Sequence, residues 1–227
     1  MAALTSPHWE AALPGARELL EDLAHLPLLR SFYLGGGTAL ALHLGHRLSR
    51  DFDLFAAIDS FDDDLRRDIA QAIQQQHTTQ VLSDTPFELV LEIDGKLASF
   101  LTYGYPLLEA VNLPGGFRVA GLLDIGLMKL DAVMGRGLRK DFYDLYFLAR
   151  RIRLDELFAR SVEKYPTSRT FKMRALSALV DFDIADRQAD PILLLPIQWE
   201  LVKAFFVSEV RRLGQQWIEP NSGGQVP

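Results

Sequence analysis

A glycine-rich turn followed at a fixed distance by two aspartates is the feature that most constrains this chain. Residues 34–55 have the sequence LGGGTALALHLGHRLSRDFDLF, in which twelve residues separate Thr38 from Asp51. The apolar run SFYL before the glycines predicts a short strand. The following TALALHLG predicts a helix that Thr38 caps at its start and Gly45 ends. We therefore expect a strand, a tight turn and a helix, followed by a second strand that carries the aspartates.

This arrangement suits a polyphosphate. Backbone amides at Gly36 and Gly37 can approach an anion closely, the positive end of the next helix attracts it, and the Thr38 hydroxyl can donate a hydrogen bond to it. Asp51 and Asp53 are two positions apart, so on a strand their side chains point to the same face. Two carboxylates on one face form an oxygen site suited to Mg²⁺. An ordinary turn and a solvated acidic pair are the alternative.

The basic and imidazole side chains of this stretch have two interpretations. Arg47 and Arg50 are either surface charges or groups that face phosphates beside the metal. His43 and His46 are interpreted as helix or turn residues rather than metal ligands.

Periodicity and turn residues predict the other elements of the first half. The clearest is a hairpin in which FELVLEI and KLASFL flank Asp94-Gly95, a dipeptide that favours a tight turn. Apolar spacing predicts a helix over Arg17–Leu26, and Asp62 opens another that ends near Gln76. Further strands are predicted at 53–58 and 117–120.

Helical spacing dominates after residue 121. The sequence predicts helices over 124–137, 138–152, 154–165, 168–180 and 196–213, and a flexible tail in the last stretch, IEPNSGGQVP. The expected class is α+β, with a small mixed-sheet core flanked by helices and a helical C-terminal part. We expect residues 1–121 to form the α/β core, 122–215 to complete the active-site cleft, and 216–227 to be the tail.

Composition excludes several kinds of protein. The chain has 227 residues and no cysteine, so disulfides and thiolate metal sites are excluded. No apolar run reaches the roughly 18–20 residues that span a bilayer, and the N-terminus lacks the pattern of a secretory signal. We therefore expect a cytoplasmic protein with no membrane partner.

Charge leaves the question of nucleic-acid binding open. The formal net charge of −6 is unlike that of a protein that binds nucleic acid nonspecifically. Three basic clusters could still contact an RNA backbone, although solvated helix faces explain them equally well. They are Arg150-Arg151-Arg153, Lys164-Arg169-Lys172-Arg174 and Arg211-Arg212.

A second group of charged residues lies in DIGLMKLDAVMGRGLRKDFYDLYFL, residues 124–148. Lys129 and Arg136 are seven apart and share a helical face, and glycines at 135 and 137 predict a break after it. Asp141 and Asp144 are three apart and lie on one face, and Lys140 can pair with Asp144 at a spacing of four. The group is either the charged face of a helix pair or a phosphate-binding surface.

Both motifs together resemble a known family. Gly37-Thr38, a spacer and Asp51-Phe52-Asp53 are similar to the Gly-Ser…Asp-x-Asp/Glu signature of the polymerase-β-type nucleotidyltransferases, with Thr replacing the usual Ser. The longer string GGTALALHLGHRLSRDFDLF resembles the AbiEii/AbiGii-type toxin nucleotidyltransferases. That group has a second motif of Lys, then Arg, then Arg/Lys-Asp-x-x-Asp, which residues 129–144 match in order.

The resemblance implies Mg²⁺- or Mn²⁺-dependent transfer of a nucleotide from a nucleoside triphosphate to a hydroxyl. The toxin would belong to a toxin–antitoxin or abortive-infection pair, with tRNA a plausible acceptor and a cognate antitoxin a plausible partner. The implied catalytic residues are Asp51, Asp53, Lys129, Asp141 and Asp144, of which Asp51 and Asp53 hold the metal. The implied nucleotide-binding residues are Gly36, Gly37, Thr38, Arg47, Arg136 and Lys140.

One departure from the wider superfamily leaves other functions open. Many members place a third carboxylate on a later strand, but the candidate strand KLASFL has Ser99 and no acid. Asp94 is assigned to the turn and Glu92 to a solvent-facing position. The base is then Asp141 or Asp144, or no carboxylate serves as one. The alternatives are transfer of AMP to a protein side chain and a non-catalytic interaction module with a decayed site.

Overall fold

Eight strands form one mixed sheet in the computed structural model, which describes residues 2–218. The spatial order is β1-β7-β8-β2-β3-β6-β5-β4. The strands are β1 (Ala2–Ala3), β2 (Phe32–Leu34), β3 (Phe52–Ala56), β4 (Thr79–Thr85), β5 (Glu88–Ile93), β6 (Lys96–Thr102), β7 (Ala110–Asn112) and β8 (Arg118–Ala120).

The centre of the sheet sets the position of the predicted metal-binding strand. Strand β3 pairs antiparallel with β2 and parallel with β6. The register places Leu34 opposite Leu54 and Asp53 beside Ser99. Because side chains alternate along a strand, burial of Phe52 and Leu54 turns Asp53 to the other face.

Helices cover the sheet and form the second half of the chain. Helix α4 is at their centre and contacts α2, α5, α6 and α7. The helices are α1 (Ala16–Ala24), α2 (Gly36–Leu44), α3 (Asp63–Gln74), α4 (Leu122–Gly135), α5 (Arg139–Leu148), α6 (Leu154–Lys164), α7 (Phe171–Ala178) and α8 (Trp199–Ile218).

The structure confirms most of the predicted elements, and the turn and cap residues behind these predictions have the expected conformations. The hairpin turn has Asp94 at φ 48° and Gly95 at φ 74°, the left-handed conformations that a two-residue turn needs. The Asp62 side chain accepts a hydrogen bond from the Leu65 amide and so caps α3. Gly45 ends α2 in the left-handed conformation, and Gly137, at φ 53°, separates α4 from α5.

Other predictions differ from the structure. Thr38 does not cap α2, which starts two residues earlier with Gly35 at the cap position. Strands β1, β4 and β7 were not predicted: β1 and β7 have two and three residues, and β4 alternates poorly because most of its side chains are exposed. Helix α8 continues through Ile218, so positions 216–218 of the predicted tail are helical, and 219–227 lie outside the described residues.

One apolar core joins the sheet to the helices. It includes Phe32 and Phe100 from the sheet, Leu127 from α4 and Phe206 from α8. Across residues 2–218, no helix has both the length and the apolar character needed to cross a bilayer.

Candidate active site

The glycine turn allows two charged side chains to approach the start of α2. Gly36 has φ +62°, and a Cβ there would lie 2.0 Å from Asp53 Oδ2. A Cβ on Gly37 would lie 2.5 Å from Nη2 of Arg47. Side chains at these positions would therefore displace Asp53 and Arg47. The same packing brings the Asp53 carboxylate to the amide-rich end of a helix.

The hydroxyl of Thr38 points into the protein. Thr38 is 1% exposed, and its Oγ1 lies 2.9 Å from Ser49 Oγ and within hydrogen-bond distance of the Asp51 carbonyl. A hydroxyl has one proton, so Thr38 can donate to the carbonyl while it accepts from Ser49. Thr38 thus connects α2 to the chain that leads into β3, and it holds the backbone of Asp51 in place.

The Asp53 carboxylate has no hydrogen bond or ion pair with any residue in the described part of the chain. Burial raises the pKa of Asp53, and the nearby Asp51 acts in the same direction. The positive charges of Lys129, Arg136 and Lys140 oppose that rise. The three cations therefore lie close enough to Asp53 to affect its pKa. Within the described part of the chain, the Asp53 oxygens are free to bind a ligand.

Asp144 is the centre of a buried ion-pair network. Its Oδ1 accepts hydrogen bonds from His46 Nε2 at 2.8 Å and Arg47 Nε at 2.6 Å, and its Oδ2 lies 2.8 Å from Arg47 Nη2 and 2.5 Å from Lys129 Nζ. Burial alone would raise the pKa of Asp144, but Arg47 and Lys129 outweigh it and hold the pKa well below its usual value. Asp144 therefore remains ionised.

Asp141 extends the network towards solvent. Its two oxygens accept hydrogen bonds at 2.9 Å from Lys129 Nζ and from Nε and Nη2 of Arg136. Lys129 is 4% exposed, whereas the Arg136 side chain is 52% exposed. Burial would lower the pKa of Lys129, but Asp144 and Asp141 outweigh it and raise that pKa. The lysine is therefore a fixed positive charge.

A cleft of about 360 Å³ lies between β3, β6 and α4. Gly36, Asp53, Lys129 and Arg136 line its polar side, and Lys140 nearby is half-buried. The apolar lining consists of Phe55, Leu101, Ile125, Met128 and Ala132, with Tyr103, Asp131 and Gly135 completing the wall. The cleft thus joins residues of both sequence motifs.

The structure places some predicted residues elsewhere. Arg47 is 5% exposed and paired with Asp144, and the Thr38 hydroxyl is engaged by Ser49 and Asp51. The predicted Lys140–Asp144 pair is wrong, because Arg47 and Lys129 occupy that carboxylate. The catalytic and nucleotide-binding roles assigned from sequence remain predictions.

Sequence reasoning did not identify several residues of the site. His46 belongs to the Asp144 network, Ser49 holds Thr38, and Tyr103 and Asp131 line the cleft. Asp131 lies on the helix already assigned to the site, but it is two positions from Lys129 and so on the opposite side, which gave no signal. The others are brought in by contacts between residues distant in the chain.

The carboxylates of Asp51 and Asp53 suit a metal ion whose other ligands are substrate phosphates and water. No group of three or more His, Cys, Asp or Glu suited to a metal is found among residues 2–218. Mg²⁺ is commonly bound by one or two carboxylates together with substrate phosphates and water. Asp53 lines the cleft, and Asp51, exposed just before β3, is close enough for its charge to act on Asp53. The unpaired Asp53 oxygens, beside the start of α2, match that arrangement.

Known proteins resemble both the sequence and the fold. Residues 18–111 match the family described as the nucleotidyl transferase AbiEii toxin of a type IV toxin–antitoxin system. An uncharacterized protein of Aquifex aeolicus (strain VF5) is 36% identical over 202 residues, which cover 86% of this chain and 94% of that protein.

Comparison with solved structures finds two matches that cover most of the chain. MenT4, the nucleotidyltransferase toxin Rv2826c from Mycobacterium tuberculosis H37Rv, has a TM-score of 0.50 and 19% identity, over 89% of this chain and 88% of that one. JHP933 from Helicobacter pylori has a TM-score of 0.47 and 19% identity, over 91% and 93%. With the family match and the relative above, the chain belongs to the AbiEii family of nucleotidyltransferase toxins of type IV toxin–antitoxin systems.

Proposed function

We propose that this enzyme transfers a nucleoside monophosphate from a nucleoside triphosphate to a hydroxyl group in a reaction that requires Mg²⁺ or Mn²⁺. The oxygen of the acceptor forms a bond to the α-phosphorus, and the bond from that phosphorus to pyrophosphate breaks. The observation that carries the proposal is the Asp53 carboxylate, which has no partner among residues 2–218 and lies beside the start of α2, whereas Asp141 and Asp144 are fully paired.

Asp51 and Asp53 hold the metal in this proposal. When bound, the divalent ion offsets negative charge on the phosphates of the substrate. Thr38 contributes indirectly, because its bond to the Asp51 carbonyl fixes the chain between the two acids. Gly36 contributes by leaving room for the Asp53 side chain.

The triphosphate lies along the polar side of the cleft. The free amides at the start of α2 point towards an anion there. Lys129 adds a fixed charge, and the exposed Arg136 and the half-buried Lys140 can contact phosphate oxygens directly. Asp141 orients Lys129 and Arg136, and Asp144 also orients Lys129, because their oxygens pair with these cations. The low pKa values and saturated oxygens of both aspartates make them poor proton acceptors.

An RNA end, with tRNA as the leading candidate, supplies the acceptor hydroxyl. Arg169 and Arg174 are exposed, and the charge of Arg174 acts on Asp131 of the cleft. Lys164, which the sequence grouped with them, is fully buried against Asp124 and does not contribute. A cognate antitoxin is the proposed protein partner, as the family description implies.

Asp53→Asn tests the proposal. Loss of this carboxylate should lower the transfer rate roughly a thousandfold, since several kcal/mol of barrier stabilisation is removed. The measurement is incorporation of label from α-labelled nucleoside triphosphates into purified tRNA or into protein, with and without Mg²⁺. Asp68→Asn on α3, an exposed acid outside the cleft, is the matched control.

The outcomes separate the parts of the proposal. Wild-type transfer that continues without a divalent ion, or near-normal transfer by Asp53→Asn, contradicts the metal-dependent mechanism. Label on protein rather than RNA would replace the RNA acceptor with a protein side chain and leave the mechanism intact.

A further inference from the structure

The cleft has two chemically different sides, which helix α4 separates. Lys129 and Asp131 are two positions apart, so about 200° of helical rotation places them on opposite sides of the same helix. Between them α4 presents Ile125, Met128 and Ala132 to the cleft. Lys129 borders the phosphate side, and Asp131 borders the side formed by Tyr103.

The contacts of Asp131 with residues 2–218 give it no role in stabilising the fold. Its carboxylate makes no hydrogen bond or ion pair with any of residues 2–218, and the side chain is exposed. The walls of the cleft partly desolvate it and raise the pKa of Asp131, and Arg174 opposes that rise. Asp131 therefore differs from Asp141 and Asp144, whose oxygens are all used by cations.

The surfaces beside Asp131 suit a nucleobase. Phe55 and Tyr103 are in edge contact, with ring centroids 5.6 Å apart, and Leu101 and Met128 add apolar area. Flat aromatic bases bind such surfaces through stacking and burial. A nucleotide with its phosphates at Asp53 and Lys129 would lay its base along this apolar stripe, with its polar edge towards Asp131.

An ionised carboxylate can only accept hydrogen bonds, so its neighbour must donate one. Cytosine, guanine and adenine carry exocyclic amino groups. Uracil has a carbonyl where cytosine has its amino group, and hypoxanthine lacks the 2-amino group of guanine. We propose that Asp131 is a specificity-determining residue that accepts a hydrogen bond from the exocyclic amino group of the nucleobase. This inference rests on the proposed function, which fixes the phosphate end of the nucleotide.

Paired nucleotides test this role. Dissociation constants are measured calorimetrically in the presence of Mg²⁺ for CTP against UTP and for GTP and ATP each against ITP, with wild type, Asp131→Asn and Asp68→Asn. We expect wild type and Asp68→Asn to bind the amino-bearing member about tenfold more tightly, the equivalent of about 1.4 kcal/mol. We expect Asp131→Asn to bring these ratios within about twofold, because an amide can donate as well as accept.

Each outcome decides a different point. Unchanged ratios in Asp131→Asn, or wild-type ratios near one, overturn the role of Asp131 and leave the proposed function standing. Failure of wild type to bind any of these nucleotides, ATP included, overturns the proposed function and this inference with it. Because Asp131 is exposed and unpaired, Asp131→Asn should keep the thermal unfolding midpoint of wild type, which separates lost selectivity from lost folding.

Discussion

Three carboxylates of the site show how surroundings, rather than residue type, decide what an aspartate does. Asp144 is saturated by His46, Arg47 and Lys129, and its pKa is held well below the usual value. Asp53 has no partner in the described part of the chain, and burial raises its pKa. Asp131 faces an apolar wall. The sequence predicted functional roles for Asp53 and Asp144, but their different environments follow from side chains distant in the chain.

Asp144→Asn should be strongly destabilising. Removal of the charge leaves Arg47 and Lys129 buried with one counter-charge fewer, which costs about 3–5 kcal/mol for a buried pair. Urea denaturation measures the free energy of unfolding. Asp64→Asn, which breaks an exposed pair with Arg67, should cost less than about 1 kcal/mol. Equal effects of the two substitutions would contradict a structural role for the Asp144 network.

The same network predicts loss of stability in acid. The pKa values of Asp141 and Asp144 are depressed in the folded protein, so their contribution is complete above the unfolded value of about 3.9 and is lost as pH falls below it. The free energy of unfolding should decline less steeply in Asp144→Asn than in wild type as the pH is lowered from about 6 to about 2. An identical slope in the variant would assign the acid sensitivity to other groups.

Gly36→Ala should disrupt the site. Alanine at φ +62° is strained, and its Cβ would overlap Asp53 Oδ2. We expect both lower stability and loss of transfer activity. Gly214→Ala, at a helical position with nothing within 4 Å, should instead stabilise by up to about 1 kcal/mol. Thermal unfolding and label incorporation, compared for the two variants, check this; retained activity in Gly36→Ala would show that Asp53 can move without loss of function.

Individual elements were predicted where their signals are local. The β5–β6 hairpin follows from Asp94-Gly95 between alternating apolar residues, and α3 follows from the Asp62 cap. Strand β4 was not predicted because its pairing with β5 leaves Val81 and Leu82 exposed. The parallel neighbour of β3 is β6, which places Ser99 beside Asp53. This pairing joins strands that are distant in the chain, so a local pattern does not predict it.

The register predicts the effect of Ser99→Asp. Residues paired across neighbouring strands project to the same face, so a carboxylate at 99 would lie beside Asp53. We expect tighter Mg²⁺ binding, because a third acid adds negative charge to an oxygen site. Calorimetric titration with Mg²⁺ measures the change. Ser83→Asp on the edge strand β4 is the control, and equal metal affinity in both variants would place residue 99 outside the metal site.

At the scale of the whole molecule, the two sequence regions share one core and one cleft. Core residues extend from β2 through α4 to α8, and Lys129 of the second region acts on Asp53 of the first. The buried pair Asp124–Lys164, 2.6 Å apart, joins α4 to α6. We propose that the predicted boundary near residue 121 divides the chain by secondary structure but does not separate two independent folding units.

Unfolding should therefore be a single transition. In a variant that keeps Trp9 and replaces Trp199 and Trp217 with Phe, fluorescence reports on the first region and far-UV circular dichroism on all helices. We expect coincident urea transitions from both probes, as for a cooperative unit. A separate, earlier loss of helical signal would show that residues 122–215 unfold independently.

The sequence by itself determined the α+β class, the glycine turn, the strand that carries Asp53 and the Lys–Arg–Asp–Asp helix pair, because these depend on spacing and on the preferences of single residues. The structure leaves Asp51 just outside that strand. Only the tertiary structure decided that Arg47 faces Asp144, that Thr38 holds Asp51, and that Asp131 and Tyr103 share the cleft with Asp53. These contacts join residues far apart in the chain. They depend on which buried charges pair with one another and on how the sheet packs against α4. A local sequence pattern specifies neither.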